Sequence, residues 1–240
     1  MVQPMADDVH EIQARLRKLG NKQRAEISRG FFKTGPGEYG EGDVFLGIRV
    51  PDLRKLSKEY QDIPFEAAGQ LLGSAIHEER LLALFMLVLM YSKGGESIRK
   101  RIYKLYLNNT QFINNWDLVD SSAEHIVGAF LFNKNKEPLY RLARSKDLWE
   151  RRISVMSTFH YIKRNDFAET LKISKMLISD SEDLIHKAVG WMLRELGNRS
   201  LKSEEKFLKQ HYKKMPRTML RYAIEKFSAS KREKYLKGMV

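Results

Sequence analysis

Two short stretches of the chain carry residue types from which a site that stabilises positive charge could be built. The first stretch, residues 114–120, places an indole at Trp116 and a carboxylate at Asp120, four positions apart. If this stretch is helical, both side chains project from one face, one turn apart. An aromatic ring and a carboxylate both attract positive charge, so the pair suits the stabilisation of a cation that develops during a reaction.

The second stretch, residues 184–191, ends in Trp191, which directly follows Gly190. Arg194 comes three residues later and would share the face of Trp191 on a helix. A similar sequence at residues 148–155 carries Arg152. These residues therefore extend the candidate site to the C-terminal half of the sequence.

The same residues also have a purely structural interpretation. Trp116 and Trp191 could belong to the core, as helical aromatic residues commonly do. Asp120 could cap a helix or pair with a cation, and Arg152 and Arg194 could be solvated helix residues. Trp149, by contrast, is assigned to the core outright.

Other catalytic chemistries find little support in the composition. The chain has no cysteine, which excludes disulfides and cysteine-ligated metals and fits a reducing compartment. Its six histidines are scattered without the close spacing of metal ligands, and no phosphate-binding loop or dinucleotide fingerprint occurs. We therefore expect neither a metal nor a cofactor.

The charge of the chain is large and uneven. The formal net charge is +13, and residues 141–240 contribute +12 of it, whereas residues 1–140 contribute +1. Such asymmetry favours an anionic partner that meets mainly the C-terminal part, although a solvated basic surface is the simpler alternative. The longest apolar run, residues 81–90, is too short to span a bilayer, so we expect a buried helix there and no membrane partner.

Helical periodicity dominates the sequence, and alternating strand patterns are missing, so the chain is predicted to be all-α. One segment, residues 34–43, is half glycine and proline and cannot be regular structure. No long linker interrupts the chain, which predicts a single domain over residues 1–240. Apolar residues at spacings of three and four predict helices at 8–19, 22–32, 51–60, 65–73, 77–92, 96–108, 117–132, 137–144, 148–163, 167–178, 183–197, 203–213 and 217–227.

A weak internal repeat gives this charge a predicted shape. Arg152, Lys187 and Arg221 recur at intervals of 35 and 34 residues, and Arg80 fits two steps earlier. Helix pairs at this period predict an α-solenoid, with a repeat somewhat shorter than the usual ~40–47 residues of HEAT repeats. Equivalent positions of a solenoid line one face, so the three basic residues would form a ladder on the concave surface and grip the phosphates of a duplex.

Four ordered motifs resemble the AlkD-type DNA alkylation repair glycosylases, over nearly the whole chain. The resemblance implies a right-handed superhelix of HEAT-like helix pairs whose concave basic face holds double-stranded DNA. It also implies excision of cationic N3- and N7-alkylated purines without flipping of the base. The motifs are residues 44–54, residues 116–120, the segment around Arg152, and residues 187–195.

Carried over position by position, Asp120 resembles the catalytic carboxylate of the family. Trp116 and Trp191 resemble its two cleft tryptophans, and Arg152 its cleft arginine. Arg54 and Arg194 resemble residues that contact the DNA backbone, to which the charge pattern adds Lys187 and Arg221. The glycine-rich loop 34–43 is longer than in the best-known forms of the family.

The chemistry of such adducts agrees with these assignments. An alkylated purine is already cationic and leaves as a neutral base, so what remains to be stabilised is the positive charge that grows on the deoxyribose. Asp120 would stabilise that charge, and each indole face would add cation–π attraction of about 0.5–2 kcal/mol. We expect a cytoplasmic monomer that acts on chromosomal DNA. A non-catalytic protein that binds DNA structures or damage, and a HEAT-type protein-interaction scaffold, are the alternatives.

Overall fold

The computed structural model describes residues 4–240, with side chains from residue 8 onward, so the first three residues of the predicted domain lie outside the described part. The chain divides into two compact units, one ending at Ile126 and the other beginning at Val127. Within residues 4–240 there is no β-strand, only an isolated parallel bridge between Val44 and Ile76. The prediction of an all-α protein is therefore confirmed, whereas the solenoid and its concave basic face stay predictions.

The first unit is organised around one apolar helix, α5. This helix is buried on nearly all sides and packs against α3, α4, α6 and α7. The helices of the unit are α1 (Pro4–Leu19), α2 (Lys22–Phe31), α3 (Val50–Glu59), α4 (Phe65–Leu72), α5 (His77–Lys93), α6 (Glu96–Asn108) and α7 (Trp116–Asp120).

The second unit is organised in the same way around α13, which packs against α10, α12, α14 and α15. No helix in the described part of the chain has both the length and the apolar content needed to cross a membrane. The helices of this unit are α8 (Ala129–Leu131), α9 (Glu137–Ala143), α10 (Leu148–Ser157), α11 (Phe159–Ile162), α12 (Ala168–Met176), α13 (Asp183–Gly197), α14 (Leu201–His211), α15 (Arg217–Ala223) and α16 (Ala229–Leu236).

The predicted helices agree with the observed ones except in three places. The helix predicted over 117–132 is instead α7, a turn, a π-helical turn at Glu124–Gly128 and the short α8. The hydroxyl of Ser122 donates to the Leu118 carbonyl at 2.5 Å, and such local bonds compete with continuation of the helix. The helix predicted over 148–163 breaks at Thr158, and α16 was not predicted because its apolar residues, Ala229, Tyr235 and Leu236, do not recur at helical spacing.

The glycine-rich loop 34–43 is irregular, as predicted. Gly37 and Gly42 adopt φ values of +75° and +79°, which favour glycine. Gly40 lies so close to the preceding chain that a Cβ there would stand 2.3 Å from the Phe32 carbonyl oxygen, and its N–H donates to the Lys33 carbonyl at 3.0 Å. Both ends of the loop are thus held near each other.

The motif that follows this loop has a structural role. The carboxylate of Glu78 accepts backbone N–H bonds from Leu46, Gly47 and Ile48 at 2.9, 2.7 and 3.2 Å. Gly47 has φ +77°, and a Cβ there would stand 2.3 Å from the Asn21 carbonyl oxygen. This segment is therefore fixed by a buried carboxylate of α5 and by close approach to the start of α2.

Candidate functional site

Helix α7 begins at Trp116 and ends at Asp120, so the two residues occupy its first and last positions. Asn115, which is fully buried, starts the helix, and its Oδ1 accepts the Trp116 N–H at 2.8 Å. A spacing of four on a helix places both side chains on one face. The structure therefore brings together the indole and the carboxylate that the sequence singled out.

The Trp116 indole lies against a wall of aromatic rings. It stacks on Phe32, with centroids 5.2 Å apart and planes 23° apart, and Phe31 meets it edge-on at 5.8 Å. Phe32 in turn stacks on Phe45 at 5.0 Å. Such pairs contribute about 0.5–1.5 kcal/mol each beyond the area that they bury. Trp116 remains partly exposed, so it is a surface residue whose position is fixed by its neighbours rather than a core residue.

Asp120 is half-buried, and its charge acts on a neighbouring phenol. Burial raises the pKa of Tyr106, its hydrogen bond with Ser122 lowers it, and the charge of Asp120 raises it again. The Tyr106 hydroxyl lies 2.9 Å from the Ser122 Oγ. The carboxylate is therefore close to the buried Tyr106 and Ser122 pair at the end of α7.

A buried ion network includes residues on both sides of Trp116 in the chain, Asn114 and Asp117. The His77 ring contacts Asp43 through Nδ1 and Asp117 through Nε2, each at 2.8 Å. The guanidinium of Arg80 donates to the other Asp43 oxygen at 2.7 Å and to the Asn114 side chain at 3.2 Å. Residues just before and just after Trp116 are thus both tied to the start of α5.

The members of this network hold one another in their charged forms. Burial alone would lower the pKa of His77, but its hydrogen bonds to Asp117 and Asp43 outweigh that effect and raise it to about 9. Burial raises the pKa of Asp43, but the hydrogen bonds and charges of His77 and Arg80 lower it by more, so the net shift is downward. Near neutral pH His77 is therefore an imidazolium paired with the carboxylate of Asp43.

Sequence reasoning did not find this network. Asp43 is 34 residues from His77 and 37 from Arg80, and Asp117 is 40 residues beyond His77, so no local spacing connects them. The sequence signals are an aspartate at the end of the glycine-rich loop, a histidine that opens an apolar helix, and the fit of Arg80 to the basic repeat, and none of them connects these residues to one another. The two carboxylates bind opposite ring nitrogens, so they do not converge on one ion, and no group able to hold a metal occurs among the described residues.

Arg54, the remaining predicted residue of the first unit, is exposed on α3. Its guanidinium lies over the Phe85 ring, 4.3 Å from the centroid. This contact holds the charged end of the side chain over an aromatic ring, while Arg54 as a whole stays exposed.

In the second unit, Trp191 is half-buried on α13. Its indole N–H donates to the Glu195 Oε1 at 3.0 Å, and the Phe159 ring lies 6.1 Å away at 55°. Gly190 lets α13 approach α15 closely, because a Cβ there would stand 2.5 Å from the Met219 carbonyl oxygen. Trp191 is therefore held by its hydrogen bond to Glu195. The residue before it, Gly190, lies where two helices are too close for any side chain.

Two arginines of the second unit differ in their surroundings. Arg152, on α10, is only 5% exposed and donates from Nη1 to the Leu184 carbonyl at 2.5 Å. Arg194, on α13, has an 18% exposed side chain and pairs with Glu225 and with Glu195. Both side chains are held in defined positions rather than dispersed in solvent.

The three members of the predicted basic ladder do not share one environment. Lys187 pairs with Asp183 at 2.8 Å and has a side chain 40% exposed, Arg221 is exposed on α15, and Arg152 is buried. The ladder therefore stays a prediction. Trp149, assigned to the core from the sequence, is buried, and that prediction is confirmed.

Comparisons with solved structures agree with the fold. A solved structure described as a predicted DNA alkylation repair enzyme from Enterococcus faecalis matches with a TM-score of 0.67 and 17% identity, covering 88% of this chain and 97% of that one. AlkD2 from Streptococcus mutans matches with a TM-score of 0.53 and 17% identity, covering 94% and 99%. Likenesses at this identity establish the fold alone.

No curated protein matches the chain. The profile of a family described as DNA alkylation repair enzyme, however, matches residues 12–227, which is most of the sequence. The chain therefore belongs to the DNA alkylation repair enzyme family.

Proposed function

We propose that this protein is a DNA glycosylase that hydrolyses the N-glycosidic bond of cationic N3- and N7-alkylated purines in duplex DNA without flipping the base. The observation that carries the proposal is the pair formed by Trp116 and Asp120 on one face of α7. An indole held by aromatic stacking and a carboxylate one turn away suit a reaction that develops positive charge on a sugar. Membership of a DNA alkylation repair family supports DNA as the substrate.

The chemistry asks little of general acid catalysis. The bond between C1′ and the purine nitrogen breaks, and its electron pair stays with the departing base, which is neutral because it carried the positive charge beforehand. C1′ and the ring oxygen then share a developing positive charge. Asp120 stabilises that charge and orients the attacking water, which loses its proton to solvent as the abasic sugar forms. Trp116 packs against the deoxyribose and adds cation–π attraction.

The basic residues bind the substrate rather than react with it. We assign Arg54 in the first unit to contacts with the DNA backbone, as well as Arg194, Lys187 and Arg221 in the second. Arg152, held by its bond to the Leu184 carbonyl, is assigned to a phosphate close to the lesion, and Trp191 to the sugar. The excess of positive charge over residues 141–240 supports phosphate contacts as the main source of affinity.

The test is release of free base from methylated duplex DNA by wild type and by Asp120→Asn. The variant keeps the shape of the side chain but removes its charge, so we expect a loss of roughly a hundredfold to a thousandfold in the single-turnover rate. Binding to undamaged duplex should be nearly unchanged. Asp62→Asn is the matched control, because Asp62 is an exposed carboxylate of the same unit.

Two outcomes would change the proposal. If folded Asp120→Asn releases base as fast as wild type, Asp120 has no part in the reaction. If wild type binds duplex DNA with strong salt dependence but releases no base, the protein is a non-catalytic binder of DNA structures or damage on the same scaffold.

A further inference from the structure

We propose that His77 is a positioning residue for base release: it joins Asp43, the last residue of the glycine-rich loop 34–43, to Asp117 of α7, and so fixes the orientation of Trp116 and Asp120. The inference rests on the proposed function for its catalytic readout. Its structural content, that the histidine locks the loop onto α7, stands on geometry alone. His77 itself does not touch the substrate in this scheme.

The His77 ring is bonded on both sides. Nδ1 contacts Asp43 and Nε2 contacts Asp117, both at 2.8 Å, in a side chain that is 2% exposed. A neutral imidazole has one N–H to donate, whereas an imidazolium has two. Only the charged ring can therefore satisfy both carboxylates at once.

Helix α7 depends on such outside contacts. It has five residues, and a helix of one turn and a half does not hold itself together alone. Its orientation is set by the buried Asn115 at its start, by the bond from His77 to Asp117, and by the bond from Arg80 to Asn114. The indole-bearing first residue lies between these anchor points, and the carboxylate at the end of the helix is less than one turn beyond Asp117.

Aromatic packing also connects His77 to the Trp116 indole, through the rings of Phe45 and Phe32. The His77 ring stacks on Phe45 at 4.4 Å and lies 5.1 Å from Phe32 at a tilt of 37°. Phe32 is the ring on which Trp116 stacks. A cation over an aromatic face is attracted to it, so the charged histidine also holds the ring that supports Trp116.

The lock should depend on pH. The groups that face His77 are Asp43 from the loop, Asp117 from α7 and, across Asp43, Arg80 from its own helix. Both hydrogen bonds from the ring persist while it is charged, and one of them is lost when the ring deprotonates, with its pKa at about 9. Release of the loop and reorientation of α7 should therefore begin near that pH, with the rest of the first unit still folded.

The experiment compares wild type, His77→Gln and His10→Gln, an exposed histidine of α1 that serves as the control. Single-turnover base release is measured from about pH 6 to about pH 10, together with affinity for undamaged duplex. We expect His77→Gln to lose up to about a hundredfold in rate at neutral pH, since displacement of a reacting group by about 1 Å has that effect. Affinity should stay within about twofold, and the fall in rate at a pH of about 9 should be present only in wild type and His10→Gln.

A second readout is independent of catalysis. Amide hydrogen exchange at neutral pH should quicken in residues 34–43 and 116–120 of His77→Gln and stay unchanged in residues 201–211. If His77→Gln does not fold, the imidazole resonance of His77 in wild type decides, because the scheme requires it to titrate at a pH of about 9.

The outcomes separate the two proposals. Wild type that releases no base, while exchange quickens as expected, overturns the glycosylase and keeps the lock. Active wild type with a His77→Gln variant of equal rate, equal pH profile and equal exchange overturns the positioning role. A His77 resonance that titrates at or below the ordinary value of 6.5 overturns it as well.

Discussion

Two buried sites, one in each unit, compensate buried charge to opposite extents. In the first, the side chains of Asp43, His77 and Arg80 are 2%, 2% and 4% exposed, and each has an opposite charge within hydrogen-bond distance. In the second, Glu204 is 2% exposed, and its Oε1 has no hydrogen-bond partner among the described residues. A buried charge is costly unless it is paired, so the first cluster stays ionised whereas the carboxyl of Glu204 holds its proton.

Two buried groups can thus share an alkaline pKa for different reasons. Hydrogen bonds to carboxylates raise the pKa of His77 to about 9 against the effect of burial. Burial raises the pKa of Glu204 to about 8, against the opposing charge of Lys231. The pKa of His77 is raised because carboxylates compensate its buried positive charge. The pKa of Glu204 is raised because its buried negative charge has too little compensation.

The same contrast is found around the two tryptophans. Trp116 is held by stacked rings and by an ion network at the neighbouring Asp117, whereas Trp191 is held by one hydrogen bond to Glu195 and by the more distant ring of Phe159. Stacked rings and buried ion pairs restrict an indole to a narrower range of positions than a partly exposed hydrogen bond and a distant ring do. We infer that the indole beside Asp120 has the more exacting geometric task.

The largest expected effect comes from removing the centre of the compensated cluster. Asp43→Asn keeps the shape of the side chain but leaves His77 and Arg80 as two buried cations without their shared carboxylate. We expect the free energy of unfolding to fall by about 3–5 kcal/mol, measured by urea denaturation at neutral pH. Asp183→Asn is the control: its carboxylate is 58% exposed in a pair with Lys187, and it should cost less than about 1 kcal/mol. Equal losses in the two variants would remove the contrast.

The next effect has the opposite sign. Glu204→Gln should raise the free energy of unfolding by about 1–3 kcal/mol at a pH of about 9, because the wild-type carboxyl there must either stay protonated or be buried as an unpaired charge. Its folded pKa lies above its unfolded value of 4.5, so the penalty is absent below pH 4.5, grows as the pH rises and levels off above about 8. The variant should therefore match wild type below pH 4.5. Glu233→Gln, an exposed carboxylate paired with Lys237, should change little at either pH.

His77 and Glu204 both make the stability of wild type depend on pH. The folded pKa of His77, about 9, lies above the ordinary value of 6.5, so its stabilising contribution is complete below pH 6.5 and is lost as the pH rises through about 9. Glu204 adds a loss between pH 4.5 and about 8. Stability should thus decline from about pH 4.5 to about pH 9 in wild type, whereas Glu204→Gln should lack the part of the decline that Glu204 causes below about pH 8 and keep the part that His77 causes.

The smallest effect on stability is expected at the surface of the second unit. Lys187→Ala removes an exposed pair between neighbouring turns of α13, so the free energy of unfolding should change by less than about 0.5 kcal/mol. If Lys187 contacts a phosphate, the same change should lower the salt dependence of duplex binding by about one unit of slope. A variant with an unaltered slope would exclude Lys187 from the DNA contact.

The fold class was predictable because apolar spacing is a local property of sequence. It placed most helices within one or two residues of their observed ends, although the helix that it predicted over 117–132 begins one residue after Trp116. It failed over 117–132, where side-chain hydroxyls such as that of Ser122 compete with the backbone, and at α16, where few apolar residues mark a face. Periodicity reflects burial and does not reflect such competition.

The supports of the candidate site were not predictable from the sequence. Nothing in the local sequence connects Asp43, His77 and Asp117, and the repeat that includes Arg80 predicts a different role for it. Their pairing depends on contacts across 34 to 40 positions. Resemblance singled out Asp120 and the tryptophans but said nothing of what holds them. Arg152, one of the three residues of the predicted ladder, is buried and donates to the Leu184 carbonyl. No sequence spacing indicates that contact.

The way in which the glycine-rich loop is tied at both ends bears on how such proteins diverge. Phe32 is fixed by its stacking on Trp116, and Asp43 by His77 and Arg80, while the tip at residues 36–37 contributes to neither anchor. Insertions and deletions at the tip can therefore accumulate without shifting the register of the chain on either side. Loop length can therefore vary while the arrangement at α7 stays unchanged.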